Sequence, residues 1–158
     1  RQTVLLNIGK RDGIVDGWAA IDGIGLVGRI AGVGERTSRV ILLGDTSSRV
    51  AVTIESHAQT ALVVRDNTSQ PPIEFLENPE TVRPGDRVMT SGDGGVFPSG
   101  ILVGQVIQTQ SGRLRVRLAA DMLQLEFLRV IRHIPRETIS TPGSLVGVQN
   151  TTELEDRP

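Results

Sequence analysis

The sequence has no cysteine and few aromatic residues. The absence of cysteine fits any cellular compartment, because disulfides are optional even where they are permitted. Aromatic residues make up 3% of the chain, and these are Trp18, Phe75, Phe97 and Phe127. The core volume must therefore come from valine, isoleucine and leucine, of which the β-branched members favour pleated, half-buried surfaces.

The chain also lacks a basic excess and a long apolar run. Its net charge of -1 argues against a nucleic-acid or membrane-surface binder, which would normally be basic. No apolar run approaches the roughly 18 residues needed to cross a bilayer, and the start does not resemble a signal peptide. Because the chain begins with Arg1, we expect it to be a fragment of a longer protein.

Glycine and proline are plentiful instead. The 158 residues include 18 glycines and eight prolines, and 38% are apolar, a composition typical of many short strands and tight turns. No 3.6-residue apolar period persists over the roughly 11 residues that would indicate a helix. The sequence therefore predicts an all-β fold with little helix.

Two local patterns carry this prediction. Val50, Val52 and Ile54 alternate with polar or small residues between Arg49 and Glu55, the period of a strand with one buried face. The Asp22-Gly23 pair lies between two apolar runs and predicts a hairpin.

A glycine-rich stretch from Thr90 to Val106 organises the second half of the chain. Its glycines and Pro98 predict a connection between strands. An earlier segment echoes it: Gly25-Leu26-Val27-Gly28 resembles Ile101-Leu102-Val103-Gly104 about 76 positions later. The repeat suggests two small β units built alike.

Composition also predicts how the chain divides. The polar, proline-containing segment from Asp66 to Pro72 suggests a boundary near residue 70. We expect a first β-barrel lobe over 1–70, a second over 71–137 with strands that can exchange between the lobes, and a flexible tail over 138–158.

No catalytic, cofactor or metal site is predicted. Ser91-Gly92-Asp93-Gly94-Gly95 resembles the active-site loop of chymotrypsin-like proteases, but Gly94 stands where their nucleophilic serine follows the aspartate. His57 and His133 are the only histidines, and neither has metal-ligand spacing to a second ligand. Arg113, Arg115 and Arg117 alternate along one predicted strand, as a solvated face or as an anion site.

Taken together, the motifs resemble the extracytoplasmic β domain of the MreC family of rod shape-determining proteins. The resemblance covers roughly residues 3–133. It rests on Asn7-Ile8-Gly9, Gly25-Leu26-Val27-Gly28, Ser38-Arg39-Val40, Pro84-Gly85-Asp86, Thr90-Ser91-Gly92, Val96-Phe97-Pro98-Ser99-Gly100 and Val103-Gly104.

The resemblance implies a fold and a location. The fold would be two six-stranded β-barrel-like lobes, similar to chymotrypsin-type barrels without their active site. The location would be the periplasm, with the full-length protein anchored to the inner membrane by an N-terminal helix that this chain does not include.

The resemblance also implies a non-catalytic scaffold of the cell-elongation machinery, which binds and activates peptidoglycan synthases. Its partners would be a class B penicillin-binding transpeptidase, MreD, the MreB/RodA assembly and further copies of itself, in a homo-oligomer or filament. No cofactor or nucleic acid is implied. The alternatives are a degenerate serine protease and an anion- or nucleic-acid-binding β module.

Candidate partner-binding residues follow from the connections between strands. Large apolar side chains there are costly to expose unless a partner covers them, each being worth on the order of 2 kcal/mol when buried. We expect Phe75, Leu76 and Phe97 to contact a partner. The alternative is that such rings fill their own barrels, which is favoured more for Trp18 and at least equally for Phe97.

Overall fold

The computed structural model describes residues 2–43, 49–66 and 68–133, and these are almost entirely strand and turn. The expected tail at 138–158 lies outside the described residues. The strands are β1 (Thr3–Leu6), β2 (Ala19–Ile21), β3 (Leu26–Val33), β4 (Ser38–Leu42), β5 (Arg49–Ile54), β6 (Gln59–Val64), β7 (Ile73–Glu74), β8 (Arg87–Thr90), β9 (Leu102–Gln108), β10 (Leu114–Leu118) and β11 (Arg129–Ile131). Three short 3-10 turns, at Lys10–Asp12, Pro79–Thr81 and Asp93–Gly95, are the helical elements of the described ranges.

The strands form two antiparallel sheets. One has six strands in the order β10-β9-β8-β5-β6-β7, and we call it the barrel. The other has five described strands in the order β1-β4-β3-β2-β11, and we call it the open sheet. The prediction of an all-β, barrel-like fold with little helix is confirmed.

The barrel closes where its first and last strands meet. Pro72 forms an isolated bridge with Arg115 of β10, and the Val116 N–H donates to the carbonyl oxygen of Pro71 at 2.9 Å. The two prolines have no N–H of their own to offer, so they contribute carbonyl acceptors only. The seam therefore joins β7 to β10 with few hydrogen bonds.

The sheets exchange strands. β5 and β6, which precede residue 70, belong to the barrel, while β11 returns from the end of the chain to pair with β2 of the open sheet. The division into domains at residue 70 stays a prediction, but the sheets themselves do not divide there. Hydrogen bonding between distant strands, rather than chain order, sets their membership.

Local patterns predicted from the sequence appear as expected. Val50, Val52 and Ile54 are fully buried in the barrel, and their neighbours on β5 are not. Asp22 closes the β2–β3 hairpin, since its Oδ1 accepts from the N–H groups of Ile24 and Gly25 at 2.7 and 2.8 Å. These two hydrogen bonds fix the turn, and both are made within a segment of four residues.

The central strand of the open sheet, β3, is mostly buried and contributes to both apolar clusters. Leu26 of β3 joins the apolar core of the barrel, whereas the next residue, Val27, joins a second cluster with Trp18 and Val40. Met122, Leu125 and Leu128 pack against that second cluster. The segment between β10 and β11 therefore covers the outer face of the open sheet.

Candidate partner-binding site

Phe75 is a large apolar side chain at the surface. It directly follows β7, is 73% exposed, and has a positive φ of 65°. A bulky residue seldom adopts this left-handed conformation, which costs on the order of 1–3 kcal/mol and persists only where the surrounding structure enforces it. Phe75 therefore combines a strained backbone conformation with a ring that is exposed to solvent.

A hydrogen-bonded clamp orders the loop that follows Phe75. The side chain of Gln59, on β6, donates from Nε2 to the Asn78 carbonyl oxygen at 2.9 Å and accepts from the Asn78 N–H at 3.1 Å. The same Nε2 donates to Thr81 Oγ1, which in turn donates to the Asn78 carbonyl. These hydrogen bonds fix the loop to the barrel.

Beside Phe75 lies an open groove of about 710 Å³ at one end of the barrel. Its walls come from the loop after β7 and from the β9–β10 hairpin. The lining includes Phe75, Leu76, Pro79, Glu80, Arg83 and Leu114. Leu76 is half-buried and packs against the barrel core, so it forms the floor next to the exposed ring.

Phe97 has a different environment. It is 8% exposed and belongs to the barrel core, although Val96 beside it is partly exposed. This burial is what the alternative of a ring filling its own barrel anticipates, and Trp18 is likewise buried, in the open sheet. Contact of Phe75, Leu76 and Phe97 with a partner stays a prediction.

The glycine-rich corner is a backbone structure. Gly92, Gly94, Gly95 and Gly100 all have positive φ, and Asp93 donates its N–H to Ser91 Oγ at 3.1 Å. Buried Thr90 joins the two ends of the corner, since its hydroxyl donates to the Pro98 carbonyl at 2.6 Å and accepts from the Ile101 N–H at 2.8 Å. The corner turns the chain from β8 into β9 around Phe97.

Ser56, His57 and Asp86 lie together at the surface, in an arrangement unlike a catalytic triad. The Ser56 hydroxyl donates to Asp86 Oδ2 at 2.7 Å, and His57 Nδ1 lies 3.3 Å from the same hydroxyl oxygen. In a triad the imidazole stands between serine and carboxylate and receives the hydroxyl proton. Here the hydroxyl donates to the carboxylate directly, so the imidazole does not stand between the two groups.

Of the three alternating arginines, Arg113 precedes β10 and the other two lie on it, and Arg115 is already paired. Its Nη1 donates to Asp66 Oδ2 at 2.9 Å and to the Gln70 carbonyl at 2.8 Å, across the barrel seam. Burial raises the pKa of Asp66, but hydrogen bonds from Thr68 and Arg115 outweigh it and leave this pKa below its usual value. Arg113 and Arg117 are exposed, whereas Arg115 already has a carboxylate partner.

His133 has a structural role that its sequence position did not reveal. Its Nε2 accepts the Ala19 N–H at 3.0 Å, which connects the end of β11 to β2. Because a backbone N–H can only donate, Nε2 must be unprotonated, and burial lowers the pKa of this imidazole. Within the described ranges, no group of three or more histidine, cysteine or acidic side chains could hold a metal.

Leu123 and Phe127 are among the exposed apolar residues that the sequence analysis did not single out. Leu123 is 95% exposed and Phe127 is 86% exposed, both in the segment between β10 and β11. Nothing in their local pattern separates them from Leu125 and Leu128, which pack on the open sheet. Across the described residues, no helix is long and apolar enough to span a membrane.

These features define an all-β domain of the barrel class. The chain belongs to the MreC family, since the family model for "Rod shape-determining protein MreC, barrel core" matches residues 1–132. The cell shape-determining protein MreC of Cereibacter sphaeroides is 66% identical over 146 residues, which cover 92% of this chain and 49% of that protein. The chain thus spans about half the length of this relative.

Solved structures agree with the fold. MreC from Pseudomonas aeruginosa superposes with a TM-score of 0.75 at 25% identity, over 82% of this chain and 88% of that one. The major periplasmic domain of the cell shape-determining filament MreC has a TM-score of 0.63 at 29% identity, over 76% and 80%. MreC in a complex with a penicillin-binding protein (PBP2) from Helicobacter pylori has a TM-score of 0.52 at 17% identity, over 66% and 69%, which indicates a shared fold.

Proposed function

We propose that this chain is a non-catalytic scaffold domain of the bacterial cell-elongation machinery. It binds a class B penicillin-binding transpeptidase and favours an active arrangement of the peptidoglycan synthases. Membership of a cell shape-determining family supports this function, as does the complex that a structural neighbour forms with a penicillin-binding protein. The domain works in the periplasm and is anchored to the inner membrane by a part of the protein outside this chain.

The observation that carries the proposal is the exposed Phe75 on an ordered loop. An aromatic ring fixed at the surface loses little conformational entropy on binding, because its backbone and the neighbouring loop are already ordered. Interface hot spots are enriched in such large anchors that a partner can surround. Phe75 therefore inserts into the transpeptidase, Leu76 supports it from below, and buried Phe97 contributes by shaping the glycine-rich corner.

The experiment compares two exposed phenylalanines. Phe75→Glu is expected to weaken binding to the periplasmic domain of the organism's class B transpeptidase by about thirtyfold, the loss of one hot spot of about 2 kcal/mol. Phe127→Glu changes an equally exposed phenylalanine in the segment between β10 and β11, so it serves as the matched control and should bind like wild type. Biolayer interferometry measures both.

Two results would contradict the proposal. If Phe75→Glu binds with wild-type affinity, the groove is not the contact surface. If a fluorophosphonate probe labels the domain at a serine, the non-catalytic assignment is wrong, with Ser56 the residue to examine first because its hydroxyl already has two polar neighbours.

The scaffold also involves self-association and, through the membrane assembly, MreD and MreB/RodA. Self-association uses the edge of the open sheet, because β1 is its terminal strand and its Leu5 is largely exposed. An unpaired edge can add a strand from a second copy. Replacing Leu5 with lysine should shift sedimentation of the full-length periplasmic region toward monomer, whereas an unchanged distribution would exclude this edge.

A further inference from the structure

The last described strand, β11, is attached to the open sheet by few residues. It spans Arg129–Ile131, and these three residues pair with residues 19–21 of β2. We propose that two copies of this chain exchange β11, so that the strand from each copy completes the open sheet of the other. The inference rests on the self-association included in the function proposed above and names the element that is exchanged.

The segment before β11 contains a tight turn that can act as the hinge of the exchange. Asp121 closes this turn, since its Oδ1 accepts from the Leu123 N–H at 3.1 Å and its carbonyl oxygen accepts from the Gln124 N–H at 3.3 Å. Both hydrogen bonds are made within four residues, so opening the turn breaks mainly local contacts. Short hinge loops favour the exchange of an identical element between copies.

The contacts of β11 can be re-formed by an identical chain. Its Val130 packs against the apolar cluster around Trp18, and the preceding segment adds Leu125 and Leu128 to the same cluster. Just after the strand, the Arg132 guanidinium carbon lies 5.8 Å from the centroid of the Trp18 ring. These partners lie on or beside the open sheet, so a second copy presents the same surface to an incoming β11. Exchange therefore conserves the native contacts of the strand.

The cluster that β11 covers contains an unpaired polar group. Trp18 Nε1 is buried and has no hydrogen-bond partner in the part of the chain that the structure describes. A buried N–H without a partner costs free energy, and this cost is relieved when water reaches the group. Lifting β11 from the cluster, which any exchange requires, is therefore easier than it would be at a fully hydrogen-bonded interface.

Two exposed side chains of the same segment favour the exchanged state. Leu123 and Phe127 are 95% and 86% exposed in a single copy, and both lie between β10 and β11. In a reciprocal exchange the two connecting segments pass each other at the two-fold axis. We therefore expect Leu123 and Phe127 to be buried against the second copy, which adds a stabilising contact that the single copy lacks.

The first test uses the absence of cysteine from the chain. Ile21 and Arg129 are opposite each other in the antiparallel ladder, where Cα atoms are about 4.5–5.5 Å apart, a spacing that a disulfide can bridge. Chains with Ile21→Cys and chains with Arg129→Cys are refolded together and oxidised, and mass spectrometry identifies the linked peptides. Exchange should give the 21–129 disulfide at about tenfold the yield of a control mixture of Ile21→Cys with Arg113→Cys.

The control cysteine replaces an exposed arginine that directly precedes β10 of the barrel. Circular dichroism checks that each variant keeps its sheets. If one variant of the first pair does not fold, Ala20→Cys with Val130→Cys repeats the test at the neighbouring position of the ladder.

The second test places both cysteines in one chain. When Ile21→Cys/Arg129→Cys is oxidised at low concentration, the disulfide fastens β11 to the β2 of its own copy, and reduction frees it again. Sedimentation at high concentration should show the oxidised form as a monomer and the reduced form with the wild-type distribution. The same protein thus serves as its own control.

The exchange requires both results. A 21–129 cross-link no stronger than the control, or an oxidised double variant that self-associates like wild type, excludes the exchange of β11. The β1 edge and the transpeptidase contact then stand, provided that Leu5→Lys and Phe75→Glu have their expected effects. If the wild-type chain stays monomeric at every concentration, the exchange and the proposed self-association fail together, while transpeptidase binding is decided separately by Phe75→Glu.

Discussion

The barrel and the open sheet each contain a strand with a leucine-valine-glycine segment, but only the barrel closes on itself. Leu26-Val27-Gly28 lies in β3 of the open sheet, and Leu102-Val103-Gly104 lies in β9 of the barrel. A Cβ added at Gly28 would collide with the carbonyl oxygen of Ile41, and one added at Gly104 with that of Arg117. In both sheets glycine lets a neighbouring strand approach closely, so the repeat in the sequence has a shared physical cause.

The two sheets differ in whether their edge strands pair with one another. In the barrel, β10 curves round to Pro71 and Pro72 and the sheet closes on itself. In the open sheet, β1 and β11 are terminal strands among the described residues. Closure gives the barrel a stable support for the Phe75 loop, while the open sheet retains edges that can pair. The two regions thus divide the proposed tasks of partner binding and self-association.

The largest test of this comparison changes the paired glycines. Gly28→Ala and Gly104→Ala should each reduce the free energy of unfolding by about 3 kcal/mol or more, at the upper end of overpacking, because the new methyl group meets backbone. Gly23→Ala is the control, since a Cβ there meets nothing within 4 Å. Urea denaturation measures all three, and a tolerated alanine at Gly28 or Gly104 would break the equivalence of the two strands.

A second test separates two phenylalanines by burial. Phe97→Ala should destabilise the domain by about 3 kcal/mol, because it leaves a cavity in the barrel core. Phe75→Ala should change stability by less than about 0.5 kcal/mol, because its ring is already exposed. Thermal unfolding of both variants provides the measurement. Equal destabilisation would mean that Phe75 is part of the support and not a free anchor.

The smallest test concerns pH and the open sheet. The pKa of His133 is lowered in the folded state by burial, so below the ordinary histidine pKa of about 6.5 the unfolded chain binds more protons than the folded one. Stability should therefore fall as pH drops from 7.5 to 5.5, through loss of the hydrogen bond from Ala19, worth about 1 kcal/mol.

His133→Gln should remove this part of the pH dependence, and His57→Gln should not. Chemical denaturation at each pH supplies the comparison, and the range stays above the region where carboxylates titrate. An unchanged pH slope in His133→Gln would show that the β2–β11 connection does not depend on a neutral imidazole.

Local chemistry made much of this fold predictable. The β5 alternation and the Asp22 hairpin depend on side chains within a few residues of one another, so the sequence pattern contains the cause. Sheet membership was harder to predict, because β11 pairs with β2 through residues more than 100 positions apart. The sequence of a three-residue strand does not indicate which sheet edge it will pair with.

The candidate site was predictable in part for the same reason. A large apolar residue in a connection drew attention to both Phe75 and Phe97, yet one is exposed and the other is buried. The exposure of Phe75 accompanies a positive φ at that residue, and the burial of Phe97 depends on the glycine-rich corner that surrounds it. The clamp from Gln59 and the pairing of Arg115 with Asp66 likewise join residues that are far apart along the chain.

The return of β11 to the open sheet sets an order of assembly during synthesis. β2 cannot pair with β11 until residues 129–131 have been synthesised, and by then every strand of the barrel has been made. Contacts of such long sequence separation form late and slowly. Strands β1–β4 and the barrel can therefore form first on the nascent polypeptide, and β11 then completes the open sheet.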